Sequence, residues 1–353
     1  MTDARLDTES LAPRWAASRR RFFTLAAMSA AAVAVGSQRA RAGAMASLRI
    51  GTFDETNPTA ILQASGSFTR TGATKVVWSN IGSGGAFNTT AAAGGIDIGL
   101  GLGTSPVAAG LAAGIPYQII GMCDNIAGAE EMSVRVAANI KTPADFVGKK
   151  VATPFGSTSN FRLVGFLTTH GLLGKVKVLY MSPPEIVAAW KRGEIDAAYV
   201  WPPAKSQLLA DGGAVFETYK ELDKAGYVIG DLIACRNAVI KSHPEVVVAF
   251  LKAYGAAIDL WTTDQAKAVA LCAKGTGISP AEALADMKEY EFITLKQSLS
   301  QAWLGAPGKP GRLADILHRT AGFLHGQKSI PTVPAVSVFA AGINSAPLAK
   351  AIG

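Results

Sequence analysis

The sequence predicts an α/β fold with two lobes and a hinge between them. Segments with strand and helix character alternate from residue 48 to 102, and the same alternation restarts at residue 149. The chain has 353 residues, of which 49% are apolar and 17% charged, so it can bury a large core and exceeds the size of one compact unit. Strands that alternate with helices indicate doubly wound sheets with a ligand-binding edge at the strand ends.

The first lobe opens with a short apolar strand over residues 48–53. A turn rich in Asp, Thr, Asn and Pro follows it, as is typical before a helix. The next segments are a helix over 59–67, a strand over 75–78, a glycine-rich turn at 82–85 that leads to a helix ending at 93, and a strand over 96–102.

The second lobe repeats this order, and the rest of the chain is mainly helical. Its segments are a strand over 149–153, a helix over 160–170, a strand over 176–180, a helix over 184–192 and a strand over 195–200, and the C-terminal helices cover 246–262, 265–274, 280–289 and 312–323. If these helices return to the first lobe, the chain crosses between lobes within 125–133 and again within 227–235. We therefore expect residues 43–129 and 230–353 in the first lobe and 130–229 in the second, with a hinge that closes on a ligand.

The first 42 residues have the order of a secretory signal. Three arginines at 19–21 precede an apolar run over 22–36, and Ala40-Arg41-Ala42 forms a small-x-small cleavage site. The run is shorter than the roughly 20 residues of a membrane-spanning helix. The paired arginines before Phe22-Phe23 are similar to a twin-arginine export signal, with an ordinary Arg-rich secretory signal as the alternative. We expect cleavage near Ala42 and a free periplasmic protein.

The net charge of +8 suggests nucleic-acid binding, but its location argues against that function. Seven of the 34 basic and three of the 26 acidic side chains lie in the first 42 residues, so the remainder carries about +4 and has no basic cluster interleaved with aromatic residues. The three cysteines have no C-x-x-C spacing, and the four histidines have no H-x-x-x-H spacing. We expect no nucleic acid, metal or cofactor, and cysteines that are buried, with one disulfide as the alternative.

Three turns place small polar residues between a strand end and a helix start. In Gly103-Thr104-Ser105-Pro106, Ser105 is expected as the N-cap, and Gly156-Ser157-Thr158-Ser159 and Gly82-Ser83-Gly84-Gly85 have the same design. Backbone N–H groups, hydroxyls and the helix dipole together form a seat for an anion, unless each cap only ends its own helix. Turns from opposite lobes would grip an oxyanion from both sides. The expected residues are Thr104, Ser105, Ser157 and Thr158.

Two further side chains stand at expected lobe edges. Trp201 ends the strand over 195–200 and is followed by two prolines, so its indole can bound a small ligand, face a cation or simply pack. Asp231 is a lone acid that enters an apolar strand at a crossing, and a buried acid needs a partner. A bound ammonium, an arginine, a backbone amide or water could supply that partner.

The run over 186–201, I-V-A-A-W-K-R-G-E-I-D-A-A-Y-V-W, resembles the taurine-binding proteins of ABC importers. These proteins belong to the nitrate/sulfonate/taurine group of periplasmic binding proteins. The similarity continues in order from about Leu48 to Phe339 and includes T-S-P at 104–106 and T-P-F-G-S-T at 153–158. The resemblance implies a type II two-lobed fold, a monomer, and delivery of ligand to an inner-membrane permease that a separate ATPase drives.

The same resemblance implies roles for the site residues. The polar turns would seat the sulfonate, Trp201 would line the pocket, and Asp231 would meet the amine of taurine. The first loop of these proteins resembles S/A-x-E-P, whereas here Asn57 precedes Pro58 and Glu55 lies upstream. This departure weakens the expected recognition of an amine. Glu55 and Asn57 therefore complete the set of candidate ligand-binding residues.

We predict capture of taurine or a related alkanesulfonate, and no enzyme activity. Another small anion or amine, such as nitrate or a thiamine precursor, is the first alternative. A desulfinase-like enzyme on the same fold is the second, and it would need a reactive Cys or His in the cleft. No G-x-S-x-G motif or phosphate-loop motif occurs, so nothing in the sequence singles out a catalytic residue.

Overall fold

The computed structural model describes residues 45–71, 74–126, 128–216 and 218–353. The expected signal peptide, residues 1–42 with its cleavage site, lies outside the described residues. The strands are β1 (Ser47–Thr52), β2 (Arg70–Thr71), β3 (Thr74–Asn80), β4 (Ile98–Gly103), β5 (Tyr117–Asn125), β6 (Glu131–Arg135), β7 (Lys150–Thr153), β8 (Lys177–Tyr180), β9 (Ala197–Val200), β10 (Gly213–Phe216), β11 (Asp231–Arg236), β12 (Glu291–Phe292), β13 (Gly305–Ala306) and β14 (Lys309–Pro310).

Helices cover most of the remaining described chain. They are α1 (Pro58–Ser65), α2 (Gly84–Ala92), α3 (Thr104–Ala112), α4 (Thr158–Thr169), α5 (Pro183–Lys191), α6 (Ala204–Ala210), α7 (Tyr219–Lys224), α8 (Asn237–Ser242), α9 (Pro244–Thr263), α10 (Gln265–Thr276), α11 (Pro280–Met287), α12 (Leu295–Ser298), α13 (Leu313–Gly326), α14 (Val336–Ala341) and α15 (Ala346–Ile352). Two short 3₁₀ helices, Val136–Ala138 and Pro143–Phe146, precede β7.

The larger sheet has seven strands in the order β12-β5-β11-β4-β1-β3-β2. β1 is parallel to β3 and β4, whereas β11 lies antiparallel between β4 and β5. β4 is buried along its whole length, as expected for an apolar strand covered on both faces. Because β11 runs against β4, its first residue, Asp231, pairs with the last residue of β4, Gly103. Asp231 therefore lies at the carboxyl edge of the parallel strands.

The smaller sheet has five strands in the order β10-β6-β9-β7-β8. β7 is parallel to β8 and β9, and β6 is antiparallel to β9 and β10. Trp201 follows β9 directly, and Ser157 lies between β7 and α4. Both residues are therefore at the carboxyl edge of this sheet, where open α/β sheets bind ligands.

The chain passes between the two sheets twice. The larger sheet takes its strands from 47–125 and 231–292, and the smaller sheet takes its strands from 131–216. This confirms the predicted α/β fold with two lobes. The expected lobe boundaries, 43–129 with 230–353 and 130–229, stay a prediction. β5 and β6, which flank the first crossing, are missing from the elements that the sequence predicts.

The longest helix, α9, belongs to the core of the first lobe. It has 20 residues and by length and composition could span a membrane, but eight of its residues are buried. It packs on α1, α10 and α15. An apolar face that is covered by three helices of the same lobe is typical of a core helix.

Candidate functional site

A cavity of about 20 Å³ lies where the carboxyl edges of the two sheets meet. Five of the eight predicted ligand-binding residues line it, namely Glu55, Ser157, Thr158, Trp201 and Asp231. Asn57, Thr104 and Ser105 are buried beside the lining residues but do not line the cavity themselves. The lining also includes Phe53 and Glu130, which the sequence did not single out.

Glu55 reaches the cavity from the loop after β1, and Asn57 holds it there. The amide Nδ2 of Asn57 donates to Glu55 Oε2 at 2.5 Å, while its Oδ1 accepts from Thr59 N at 2.9 Å and caps α1. Opposite, Gly101 has φ +71°, and a Cβ there would lie 2.4 Å from Glu55 Oε2. Only glycine fits both constraints. Asn57 thus orients an acid that lines the cavity, and the effect of this loop on amine recognition stays a prediction.

Asp231 and Asp124 form a pair of buried carboxyl groups. They face each other across β11 and β5 and are 4% and 0% exposed. No N–H or hydroxyl of the described residues donates to either oxygen of Asp124. Burial and the neighbouring charge of Asp124 raise the pKa of Asp231 well above its usual range, and burial also raises the pKa of Asp124. Two neighbouring carboxyl groups in a buried site oppose each other's ionisation, so this pair favours uptake of a proton.

Glu130 is a further acid at the cavity, in the first crossing between the sheets. Its Oε1 accepts a hydrogen bond from Thr158 Oγ1 at 2.6 Å, and its Oε2 has no partner among the described residues. Burial raises the pKa of Glu130 to about 7, against the opposing influence of the Thr158 hydrogen bond and of the Arg162 charge. Burial likewise raises the pKa of Glu55 well above its usual range.

Among the described residues, no basic side chain lines this cavity. Arg162 and Lys205 are the basic residues whose charges reach Glu130. Each forms an ion pair with another acid, and Arg162 Nε and Nη1 have no partner among the described residues. Arg162 forms an ion pair with Asp223 and lies over the ring of Tyr219. Lys205 Nζ lies 2.9 Å from a carboxylate oxygen of Glu289. The charged part of the lining is therefore entirely acidic.

The hydroxyl groups of the predicted anion seat are committed to other acceptors. Ser157, within the predicted polar turn, is the N-cap of α4: its Oγ accepts from Asn160 N at 3.0 Å and donates to Pro154 O at 2.7 Å. Thr158 donates to Glu130, and Thr104 Oγ1 donates to Val228 O at 3.3 Å. A hydroxyl has only one proton to donate. These three therefore cannot also donate to a sulfonate while those bonds last.

Ser105 does not act as the predicted N-cap. α3 begins two residues earlier than predicted, at Thr104 instead of Pro106, and its N-cap is Gly103, which has no side chain to bond the first turn. Ser105 lies inside the first turn and is 2% exposed. The prediction was wrong because Pro106 occupies the third helical position here and not the first. Proline is tolerated at this position too, because an N–H there would have no acceptor within the helix.

The starts of three helices nevertheless converge at the cavity. A Cβ on Gly84, at the start of α2, would lie 2.4 Å from the Pro106 ring and 3.0 Å from Gly156 O, and a Cβ on Gly103 would lie 2.2 Å from the Thr158 methyl group. Glycine at these two positions permits the close approach. Some backbone N–H groups of these first turns already have acceptors: Thr104 N donates to Gly230 O, Ala86 N to Ser83 Oγ and Asn160 N to Ser157 Oγ. Pro106 has no N–H, so Ser105 N is the donor that the first turn of α3 has left. The remaining first-turn N–H groups have no acceptor within their own helices and carry the positive end of the helix dipole.

Trp201 connects the two lobes at the cavity. Its indole Nε1 donates to Asp54 O at 3.2 Å, across the gap between the sheets, and its ring meets that of Phe53 edge-on with centroids 6.4 Å apart. Trp201 is 6% exposed. The indole therefore forms a wall of the cavity and also holds the lobes together.

The cysteines offer no activated nucleophile. Cys123, Cys235 and Cys272 are all buried as free thiols. Burial raises the pKa of each thiol, and the neighbouring carboxylates of Asp124 and Asp231 add to this for Cys123. A catalytic thiol needs the opposite environment, one that favours the thiolate.

The acids that the sequence did not single out carried a weak signal. Asp124 is the second-last residue of the apolar strand β5, an acid at a strand end like Asp231, and Glu130 stands directly before β6. Asp124 meets Asp231 only because β5 pairs with β11, which is far away in the chain.

Comparisons with known proteins agree with the fold and with the residue-level resemblance. The model of the NMT1-like family matches residues 41–274. The taurine-binding periplasmic protein of Escherichia coli K12 is 29% identical over 284 residues, which cover 78% of this chain and 85% of that protein. The predicted resemblance to taurine-binding proteins is thereby confirmed.

Solved structures share the fold. The alkanesulfonate-binding protein SsuA from Xanthomonas axonopodis pv. citri, bound to MOPS, is 21% identical with a TM-score of 0.68, and the match covers 85% of this chain and 98% of that one. The desulfurization enzyme DszB is 17% identical with a TM-score of 0.54 over 87% of this chain and 98% of that one. These likenesses confirm the two-lobed binding-protein fold, which hosts both binders and enzymes.

Proposed function

The chain belongs to the NMT1-like family, and on this premise we propose that it captures taurine or a related alkanesulfonate bearing an amine, for import by an ABC transporter. The observation that carries the proposal is the lining of the cavity between the lobes. Buried carboxyl groups stand beside the converging starts of three helices, and no basic side chain of the described residues joins them in the lining. A zwitterion with an ammonium and an anionic head matches both halves of this lining.

The acidic half of the site calls for a positive ligand group. Glu55 and Asp231 line the cavity and are each at most 6% exposed. A buried ionised carboxylate without a partner is costly, whereas one that meets an ammonium gains charge-assisted hydrogen bonds. Binding of the ammonium therefore favours the ionised form of these acids.

The other half of the site suits an anion through the backbone. First-turn N–H groups and helix dipoles stabilise a negative head group without a fixed counter-charge. In this proposal Thr104, Ser105, Ser157 and Thr158 contribute mainly by shaping and capping these helix starts, and Ser157 and Thr158 also contact the ligand. Trp201 covers it.

In the present arrangement the cavity of about 20 Å³ is far too small to hold taurine. Capture therefore requires the lobes to separate and close again. The hydrogen bond from Trp201 to Asp54 O is one of the contacts that must break on opening. Residues 43–129 with 230–353 and residues 130–229 are the moving units in this proposal. A permease in the inner membrane, driven by its ATPase, would receive the ligand, and the binding protein would act as a monomer.

An amine without a sulfonate is a second candidate ligand. The observation that favours it is the commitment of three hydroxyl protons to acceptors within the protein, which leaves only backbone donors for the anion. A desulfinase-like reaction finds less support, because the buried cysteines lack an environment that activates a thiol.

Titration calorimetry of the mature chain tests the proposal directly. Taurine is expected to bind with a Kd of about 1 μM, and ethanesulfonate, which lacks the amine, at least about 100-fold more weakly. A thiamine precursor that binds more tightly than taurine would favour the second candidate. Nitrate or ethanesulfonate binding as tightly as taurine would contradict the proposal.

We also propose export to the periplasm by the twin-arginine route. Replacing Arg19 and Arg20 by lysine keeps the positive charge but removes the paired guanidinium groups. We expect the uncleaved precursor to accumulate inside the cell, as measured by immunoblot of cell fractions. The matched change of Arg39 and Arg41 to lysine should leave export normal. Normal export of the first variant would exclude this route.

A further inference from the structure

A ligand with a single ammonium leaves one acid of the cavity, Glu130, without a hydrogen-bond donor. Glu130 lines the cavity, is 3% exposed, and keeps one carboxylate oxygen without a partner among the described residues. A primary ammonium has three N–H donors, which Glu55 and Asp231 can already accept. The proposed ligand therefore does not account for the free oxygen of Glu130.

The protein itself does not neutralise Glu130 fully. The nearby cations, Arg162 and Lys205, form ion pairs with Asp223 and Glu289 and do not line the cavity. The hydrogen bond from Thr158 satisfies only the other oxygen of Glu130. A buried acid that lines a cavity and keeps one oxygen without a hydrogen bond can be satisfied by an N–H donor of the ligand.

The walls next to these acids are aromatic. The rings of Phe53 and Trp201 line the cavity at an interplanar angle of 84°. A planar, weakly hydrated cation packs against aromatic rings more favourably than a compact ammonium does, and it presents five N–H donors in a fixed plane. The carboxylates that line this cavity can each accept from a different N–H group of such a cation.

We propose that Glu130 is a specificity-determining residue, and that the pocket prefers a ligand whose positive end is a guanidino or amidino group on a short alkyl chain that ends in an anion. This inference rests on the proposed function and narrows its substrate class. Glu55 and Asp231 accept from one edge of the planar cation, and Glu130 accepts from another. The extra volume is accommodated by the hinge, since the distance between the lobes adjusts to the ligand that they enclose.

The test compares taurine with 2-guanidinoethanesulfonate, which differs from taurine only in the positive group. Calorimetry on the unaltered mature chain should show that the guanidino compound binds about tenfold more tightly, as one additional charge-assisted hydrogen bond predicts. Glu130→Gln should weaken the guanidino compound about tenfold or more and change taurine binding by less than about threefold. Glu194→Gln, which removes an exposed charge outside the cavity, should leave both affinities unchanged.

The outcomes separate this inference from the proposed function. Taurine binding with no preference for the guanidino compound in the unaltered chain would overturn the inference alone. A Glu130→Gln variant that weakens both ligands equally would overturn the role of Glu130 in selecting between them. Failure of both sulfonates to bind would overturn the proposed function, and this inference with it.

Discussion

Replacing Asp231 by asparagine is expected to weaken taurine binding by about 100-fold while changing ethanesulfonate binding by less than about threefold. Asparagine keeps the volume of the side chain and can still accept a hydrogen bond, but it cannot carry the charge that meets the ammonium. Loss of one partner of a buried, hydrogen-bonded charge pair costs about 2–5 kcal/mol, and the ammonium would be left facing a neutral amide. Titration calorimetry with both ligands measures the difference.

Asp97 supplies the matched control for this variant. It is as buried as Asp231, but it pairs with Arg49 and Arg236 and does not line the cavity. Asp97→Asn should therefore lower the free energy of unfolding and leave the affinity for taurine unchanged. Equal losses of taurine and ethanesulfonate in Asp231→Asn would remove the role of Asp231 in binding the amine.

The ligand-free protein is expected to be markedly more stable near pH 5 than near pH 8. Burial raises the pKa of Glu130 to about 7 and also raises the pKa values of Glu55, Asp124 and Asp231. In the unfolded chain these acids lose their protons near pH 4. Between about pH 4 and pH 7 the folded state thus binds more protons than the unfolded state, so stability falls as the pH rises through this range.

The loss of stability near pH 8 comes from the buried acids of the cavity, so a substitution of one of these acids should reduce it. Asp124→Asn should raise the melting temperature near pH 8 by roughly 5 °C, because it replaces a buried acid by a neutral amide that can donate to Asp231. Near pH 5, where the acid is already protonated, the gain should nearly vanish. Thermal unfolding of both proteins at the two pH values measures this. A gain of equal size at both would show that ionisation of Asp124 is not the cause.

Asp97 again provides the contrast. Burial opposes its ionisation, but hydrogen bonds from Arg49 and Arg236 prevail and lower its pKa. Its contribution to stability is present above the unfolded pKa near 4 and is lost as the pH falls further. The two kinds of buried acid therefore act in different pH ranges. A stability that falls between about pH 5 and pH 8 does not report on Asp97. Asp286, outside the cavity, also has a pKa that burial raises to about 6, so the comparison with Asp124→Asn identifies the part that belongs to the cavity.

Local patterns predicted much of the fold and part of the site. Apolar strands followed by turns at 48–53 and 149–153 are local signals, and so is the small polar turn at 156–159 before α4. Trp201 and Asp231 were found because each ends or begins an apolar strand near a polar turn. These residues reach the cavity because parallel strands bring their carboxyl ends to one edge.

Other features depend on contacts that no local pattern encodes. Asp124 becomes part of the site only because β5 pairs with β11. Ser157 is the N-cap of α4, whereas Ser105 lies two residues after the N-cap of α3, so its hydroxyl lies inside the first turn and does not cap the helix. Which acceptor takes the proton of Thr158 is decided by Glu130, 28 residues away in the chain. Tertiary geometry therefore decides which polar groups remain free to bind a ligand.

A crystal structure of the mature chain grown with taurine tests the central claim most directly. We expect closed lobes with the taurine nitrogen about 3 Å from carboxylate oxygens of Glu55 and Asp231, and the sulfonate at the first turns of α3 and α4. A taurine molecule bound the other way round, with its sulfonate among the carboxyl groups, or bound outside the space between the lobes, would contradict it.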